Sequence, residues 1–300
     1  MSSEINQKYA EAGRITKEVR TLVENHADWR GTSYLELCNF VEDNFKRLGG
    51  DAAFPTNICA DSSAAHYTAE IEDQRVVEST VKLLKVDLGA HVEGFPADSS
   101  TTICYEDDLL DMVQAVKAAQ IEATRLVKAD GRTNEVGKLV QAIAERRGYL
   151  PIENLSGHSV DEYVVHSGVS IPSVWYPSNE KFSLGKVYAV EEFFTTKDGS
   201  GVVVEGKAKN IYSVVSRRRT GKANLDKFVD LVWNKRKTLP FALRWYGDEF
   251  PKKELEEMIA LLLKLRVVRA YPELVESRGS PVAQAENTVG LLSTGPVVLT

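Results

Sequence analysis

The stretch from residue 85 to residue 105 constrains the fold most, because it predicts two short strands joined at Glu93-Gly94. With the turn at these two residues, Gly89 faces Asp98 across the hairpin. Side chains alternate between the two faces of a strand, so Asp87 lies on the same face as Gly89 and therefore as Asp98. The two carboxylates are then diagonal neighbours, with backbones roughly 7–8 Å apart.

The proximity of Asp87 and Asp98 has two interpretations. Two facing carboxylates repel each other unless positive charge lies between them. A pair of divalent metal ions, about 3.5–4 Å apart in hydrolytic sites, fills such a gap. The alternative is a hairpin whose solvent face simply exposes both aspartates, and this stretch alone leaves both interpretations open.

Composition is that of an ordinary globular protein. The 300 residues allow one large domain or two smaller ones, and the net charge of −6 argues against a general nucleic-acid binder. Cys38, Cys59 and Cys104 form no CxxC pair, so we expect neither disulfides nor a zinc knuckle, and a cytoplasmic location fits best. The N-terminal residues do not resemble a signal peptide, and no apolar run is long enough to span a bilayer.

Periodicity predicts an α/β chain with helices and strands in both halves. The predicted helices span residues 4–30, 33–48, 107–128 and 133–147, and the strand-like segments are 163–169, 186–194, 201–208, 281–290 and 296–300. Because helices and strands occur on both sides of residue 130, the pattern permits two similar halves.

Residues 212–270 differ from the rest because helical periodicity dominates there. We expect a helical, winged-helix-like insertion subdomain at 212–270 inside a catalytic domain formed by residues 1–211 and 271–300. Two basic clusters, 217–219 and 235–237, leave nucleic-acid binding as one interpretation. We favour a solvated basic face balanced by acidic neighbours, and we expect no specific nucleic-acid ligand. The acidic neighbours are Glu254, Glu256 and Glu257.

Further polar residues extend the candidate metal site. Glu191 and Glu286 stand in otherwise apolar strand-like segments, where a lone buried carboxylate is costly unless it is paired, coordinated or protonated. His158 follows a glycine that permits a tight bend. With the two hairpin aspartates these residues suit Mn²⁺, Fe²⁺, Co²⁺ or Zn²⁺, and four carboxylates balance two divalent ions. The alternative is that both glutamates face water, Glu191 beside Glu192 and Glu286 on an edge strand.

A series of motifs along almost the whole chain resembles those of methionine aminopeptidases. The motifs are Ala53-Phe-Pro-Thr-Asn57, Ala64-Ala-His66-Tyr-Thr68, Val86-Asp87-Leu-Gly-Ala-His91, Gly157-His158 with His166-Ser-Gly168, Tyr188-Ala-Val-Glu191 and Gln284-Ala-Glu286-Asn-Thr288. The insertion, with Leu239-Pro-Phe-Ala-Leu-Arg-Trp245, is similar to the extra subdomain that marks type II. No long charged N-terminal extension is present in the sequence, so the archaeal form is the closer match.

The resemblance implies a pseudo-twofold pita-bread fold around a site for two divalent metal ions. Asp87 matches the chelating aspartate of one ion. Asp98 and Glu286 match the bridging carboxylates, and His158 and Glu191 match ligands of the other ion.

The resemblance also assigns catalytic roles to His66, His166 and Glu191, and substrate contacts to His66, His166 and Phe54. From the alternating pattern around it, we expect His166 to project from a strand. Glu191 would act as general base as well as ligand, and Phe54 would form an aromatic wall of the methionine pocket.

The implied function is hydrolytic removal of the initiator methionine from nascent polypeptides with a small second residue, by a cytoplasmic monomer without a membrane segment. Contact with the ribosome stays an open alternative. So do a proline-specific peptidase of the same fold and a non-catalytic binding protein on this scaffold.

The chain departs from the family pattern at four sites, five residues in all. Asn287 stands where a histidine is usual and removes a possible support for the metal ligands. Glu192 replaces a proline and puts the register of Glu191 in question. Asp161-Glu162 adds negative charge near the cleft, and Ala69 replaces a frequent proline.

Overall fold

Helices form where apolar residues recur at helical spacing. The computed structural model describes residues 5–300. Its helices are α1 (Gln7–Glu24), α2 (Tyr34–Arg47), α3 (Asp107–Arg125), α4 (Thr133–Arg147), α5 (Ala223–Arg236), α6 (Lys252–Lys264) and a 3-10 helix at Leu243–Tyr246. Ser33 and Glu36 form a reciprocal capping box that begins α2. The prediction for α1 was too long, because the chain folds back after Glu24 and Trp29 donates its indole N–H to the carbonyl of Val23.

The strands are short except at the centre of the molecule. They are β1 (Asp51–Ala52), β2 (Asn57–Ala60), β3 (Ser63–Ala65), β4 (Leu83–Leu88), β5 (Ala90–Val92), β6 (Phe95–Pro96), β7 (Ser99–Cys104), β8 (Tyr149–Pro151), β9 (Ser156–Val160), β10 (Ser170–Pro172), β11 (Val187–Thr196), β12 (Val203–Glu205), β13 (Ile211–Val214), β14 (Val268–Tyr271), β15 (Leu274–Glu276), β16 (Val282–Leu292) and β17 (Gly295–Val298).

One antiparallel sheet organises the molecule, with the strand order β10-β9-β11-β16-β7-β4-β2. The predicted hairpin is confirmed, since Val92 lies opposite Phe95 and Asp87 lies opposite Ser100 in one continuous register. The turn residues Glu93 and Gly94 have φ values of 50° and 91°, which suits a tight hairpin turn.

Two similar halves meet along this sheet. In the first, α1 and α2 bury their apolar faces against β2 and β4. In the second, α3 and α4 pack on β11 and β16. Each half thus consists of two helices followed by antiparallel strands, as the sequence pattern permitted. No helix in residues 5–300 is long and apolar enough to cross a membrane.

The residues between β13 and β14 surround an apolar core of their own, built from α5, α6 and the 3-10 helix. The two flanking strands pair, with Ile211 opposite Tyr271. In the basic clusters, Arg219 pairs with Asp230 at 2.7 Å and Lys235 pairs with Glu249 at 3.3 Å. The acidic partners of these two cations are therefore not the three glutamates named from sequence.

The strand expected at residues 163–169 is wrong. Tyr163 and Gly168 have φ values of 57° and 111°, which an extended strand does not allow. The backbone N–H of Val169 donates to the Ser159 hydroxyl, and the segment is a loop between β9 and β10. His166 therefore projects from a loop.

Candidate metal centre

Five neighbouring positions on one face of the central sheet bring the candidate ligands together. Asp87 is the next-to-last residue of β4 and Asp98 immediately precedes β7, while the other three lie within β9, β11 and β16. Glu191 is directly opposite Glu286, and His158 is opposite Ala189 two residues before Glu191. Because side chains two residues apart share a face, these residues point into one space.

The ligand atoms form two overlapping groups. One atom each from Asp98, His158 and Glu286 lie within 4.8 Å of one another, and so do atoms of Asp87, Glu191 and Glu286. Glu286 belongs to both groups, which matches its expected bridging position. His158 Nε2 lies 3.7 Å from Asp98 Oδ2. Glu191 lies with Asp87 and Glu286, whereas the resemblance assigns it to the ion of His158.

Several carboxylate oxygens here have no hydrogen-bond partner in the described part of the chain. They are Asp87 Oδ1, Asp98 Oδ1 and both oxygens of Glu286. Burial raises the pKa of Asp87 to about 7. Burial and then the neighbouring carboxylates hold the pKa values of Asp98, Glu191 and Glu286 well above the usual range. Unpaired buried oxygens of this kind fit hard divalent cations, which would supply the missing positive charge.

Gln284 is a functional candidate that sequence reasoning missed. Its Nε2 donates to Glu191 Oε1 at 2.7 Å and to Asp87 Oδ2 at 3.4 Å, so it joins two candidate ligands across the sheet. The available signal was its position two residues before Glu286 on the same strand face.

A cavity of about 220 Å³ opens above the carboxylates. Its lining includes His66, His166, Phe54, Val165 and Tyr271, so it combines polar and apolar walls. The rings of His158 and His166 lie 4.3 Å apart between centroids. Sequence reasoning did not identify Tyr271 or Val165.

The histidines at this cavity are neutral near pH 7. Burial lowers the pKa of His66 and of His158 to about 4. Burial, and then repulsion from His158, lowers the pKa of His166 well below its usual range. A neutral imidazole donates through one ring nitrogen and accepts through the other, which suits peptide N–H and C=O groups.

The four departures from the family pattern lie outside this cavity lining. Glu192 points to the opposite face, where Ser173 donates to its Oε2 at 2.6 Å, so the register of Glu191 is intact. Asp161 forms an ion pair with Lys186 at 2.9 Å. Ala69 is buried in the first core.

Asn287 also faces away from the metal ligands. Its Oδ1 accepts from Arg20 Nη1 at 2.6 Å, and its Nδ2 donates to Gln120 Oε1 at 3.0 Å. Arg20 Nη1 also donates to the Ser99 hydroxyl. Asn287 therefore connects α1 and α3 to the back of β16, and Arg20 extends the network to β7, which follows Asp98.

Comparison with known proteins supports this description. Residues 7–208 match metallopeptidase family M24. The chain is 34% identical to a methionine aminopeptidase of Methanocaldococcus jannaschii over the full length of both, and 37% identical to one of Pyrococcus horikoshii over 94% of this chain and 95% of that protein.

Similarity to solved structures supports the same fold. A solved thermophilic Arx1 superposes with a TM-score of 0.82 at 16% identity, covering 98% of this chain and 89% of that one. Likeness at such low identity speaks for the fold alone, and the expected pita-bread fold is confirmed. Together with the full-length relatives, these matches mean that the chain belongs to metallopeptidase family M24 and, within it, to the methionine aminopeptidases of the archaeal, type II form.

Proposed function

We propose that this protein is a metal-dependent aminopeptidase that hydrolyses the bond after an N-terminal methionine, preferring a small second residue. The observation that carries the proposal is the pair of overlapping ligand groups sharing Glu286 at the floor of a partly apolar cavity. The full-length similarity to proteins named methionine aminopeptidases supports the choice of substrate.

The buried carboxylates and His158 would hold two divalent ions, drawn from Co²⁺, Mn²⁺, Fe²⁺ and Zn²⁺. Asp98, His158 and Glu286 form one ligand group, and Asp87, Glu191 and Glu286 form the other. When bound, such ions supply an activated water and polarise the scissile carbonyl.

Glu191 is the residue we assign to proton transfer. Gln284 donates to one of its oxygens at 2.7 Å, which orients the carboxylate within its ligand group. From that position Glu191 accepts a proton from the attacking water and returns it to the leaving amine, as general acid–base catalysis requires.

His66 and His166 are assigned to the peptide itself. Both line the cavity and both are neutral near pH 7. They hydrogen-bond the peptide group and the oxyanion that develops on its carbonyl, a type of contact that stabilises such transition states by about 2.7–4 kcal/mol.

The apolar wall accounts for the preference for methionine. Phe54 and Val165 face the cavity and pack with Leu239 in one apolar cluster. An unbranched, polarisable thioether fits such a wall and gains from contact with an aromatic ring. We further propose that the substrates are nascent polypeptides and that the enzyme acts as a cytoplasmic monomer.

The test is release of the N-terminal residue from three peptides, Met-Ala-Ser, Met-Leu-Ser and Ala-Pro-Ser, by metal-free protein titrated with Co²⁺ or Mn²⁺. We expect metal-dependent cleavage of Met-Ala-Ser alone. Cleavage of Ala-Pro-Ser instead would indicate a proline-specific peptidase. A folded protein that cleaves none of the peptides with either metal would support the binding-scaffold alternative.

A further inference from the structure

A buried arginine of the insertion joins two walls of the catalytic cavity. Arg236 is the last residue of α5, and its side chain is only 4% exposed. Its Nη2 donates to three backbone carbonyls, those of Ala52, Ala53 and Pro240, the last two at 3.1 Å. One guanidinium nitrogen therefore ties the segment before Phe54 to a segment of the insertion.

Both tied segments contribute side chains to the cavity. Phe54 follows Ala53 directly, and Phe54 and Pro240 line the cavity together. The Phe54 ring rests against Gly89, where an added Cβ would lie 2.6 Å from its Cε1. The Phe54 ring thus lies against Gly89, while Arg236 bonds to the backbone of Ala53 and Pro240.

The guanidinium of Arg236 can hold two backbone segments together, and Arg236 is not among the residues that line the catalytic cavity. Its Nη1 lies 3.5 Å from Asp51 Oδ2, and its guanidinium lies 4.8 Å from the centroid of the Trp245 ring. Burying a cation is costly unless its donors are paired, and the carbonyl oxygens pair Nη2 here, whereas Nε has no hydrogen-bond partner in the described residues. A lysine ammonium lacks the planar fork needed to bond and stack at once.

We propose that Arg236 is a positioning residue that sets the width of the apolar pocket and, through it, the preference for methionine. The effect passes through Phe54 and Pro240, since the guanidinium bonds to the backbone around them and Arg236 itself is absent from the cavity lining. This inference rests on the proposed function.

The test compares Arg236→Lys and Arg236→Met with the wild type on Met-Ala-Ser, norleucine-Ala-Ser and Leu-Ala-Ser. We expect KM for Met-Ala-Ser to rise about tenfold and the preference for Met over Leu to fall about tenfold, with kcat within about threefold, because a displaced wall weakens side-chain binding. Bound metal per protein should stay at the wild-type value. The matched control is Lys235→Met, which removes an exposed neighbouring cation that pairs with Glu249.

A second variant tests the proposal in case the Arg236 variants do not fold. Asp51 is half exposed, so Asp51→Asn should fold and should shift KM and the Met-over-Leu ratio in the same direction, by about two- to fivefold. A wild-type ratio in folded Arg236→Lys, or in Asp51→Asn where the arginine variants do not fold, would overturn the proposal.

The two proposals fail in different ways. If the wild type cleaves no peptide, the proposed function fails, and calorimetric binding of free methionine against leucine then tests the pocket in the same variants. Equal preference in wild type and Arg236→Lys would overturn the role of Arg236, whereas a reduced preference in the variant would support it.

Discussion

The two faces of β16 differ sharply although they alternate residue by residue. On the cavity face, both oxygens of Glu286 have no partner in the described chain. On the opposite face, Asn287 accepts a hydrogen bond from Arg20 and donates one to Gln120. One strand thus carries an unsatisfied acidic group beside a fully connected amide.

The cavity face of β16 carries groups suited to chemistry, whereas the opposite face carries contacts that stabilise the packing of the helices on the sheet. Unpaired buried carboxylates destabilise a folded chain, and they persist where a ligand satisfies them. A connected polar network stabilises the packing of helices on a sheet. We therefore expect changes on the cavity face to affect chemistry, and changes on the opposite face to affect stability.

The largest effect is expected for Glu286→Gln. Peptide cleavage should fall by on the order of a thousandfold or more, because the variant loses a ligand common to both metal groups. The metal-free variant should nevertheless be more stable than the wild type by about 1–2 kcal/mol, since one of several repelling carboxylates is gone. Activity assays and urea unfolding measure the two effects, with exposed Glu257→Gln as control. A less stable metal-free variant would contradict the assignment of the cavity face.

The next effect is a loss of kcat in His166→Ala. A neutral donor to the reacting carbonyl is worth about 10²–10³ in rate, so we expect a loss of that order with an unchanged metal content. Steady-state kinetics and metal analysis test this, with His26→Ala as control because that histidine is exposed and stacks on Trp29. Loss of bound metal in His166→Ala would instead make this histidine a ligand.

Arg20→Met should act on stability. It removes the donor to the Ser99 oxygen and the shorter of two hydrogen bonds to Asn287 Oδ1, the other coming from Thr300, in a part-buried network. This loss costs about 2–4 kcal/mol of unfolding free energy. We expect kcat within about fivefold of the wild type, since no cavity residue is changed. Denaturant unfolding measures the loss, and Arg14→Met, half exposed on the same helix, is the control. If Arg20→Met were as inactive as Glu286→Gln and as stable as the wild type, the two faces of β16 would not differ in the way described.

The smallest effect is a pH dependence of the metal-free protein. The cavity histidines have lowered pKa values, so their contribution to stability grows as pH rises from about 4 to their unfolded value of about 6.5 and is then constant. The carboxylates have raised pKa values, so their contribution falls as pH rises from their unfolded values of about 4. Above pH 6.5 only this second trend remains, and up to pH 8 each carboxyl that stays protonated in the folded state should lower stability by about 1.4 kcal/mol per pH unit.

Metal and one substitution separate the sources of this trend. Saturating Mn²⁺ should remove the cavity contribution, because it replaces the protons on the ligands. Burial raises the pKa of Glu192 to about 8, and this residue lies on the other face, so Glu192→Gln should remove what remains. Thermal unfolding between pH 6.5 and 8 measures the effect of Mn²⁺ and of Glu192→Gln. If neither changes the fall of stability with pH, the assignment of that fall to these carboxyls is wrong.

Sequence reasoning worked where one local rule decided the outcome. The hairpin register followed from its turn, and the alternation of side chains then placed Asp87 and Asp98 on one face. It failed at His166, because positive φ values at Tyr163 and Gly168 bend a segment whose letters alternate like a strand.

Contacts between distant parts of the chain could not be predicted from the sequence pattern. Arg236 and Ala52 are 184 positions apart, and the basic cluster around Arg236 looked like a solvated surface. Gln284 stands in one of the motifs but was given no role of its own, because an amide carries no charge to mark it. The Arg236 contacts depend on how the insertion packs against the first half, and the Gln284 contacts depend on how β16 lies beside β11 and near β4. No local pattern encodes either arrangement.

The central place of β16 has a consequence for how the protein acquires its structure. This strand comes late in the chain, at residues 282–292, yet it lies between β11 and β7 and pairs with both. Until it docks, two strand edges with open hydrogen-bonding groups face solvent, and such edges invite aggregation. Closing them requires contacts of long sequence separation, which slow folding. The step that completes the sheet also delivers Glu286, so the ability to bind metal should report the last stage of folding.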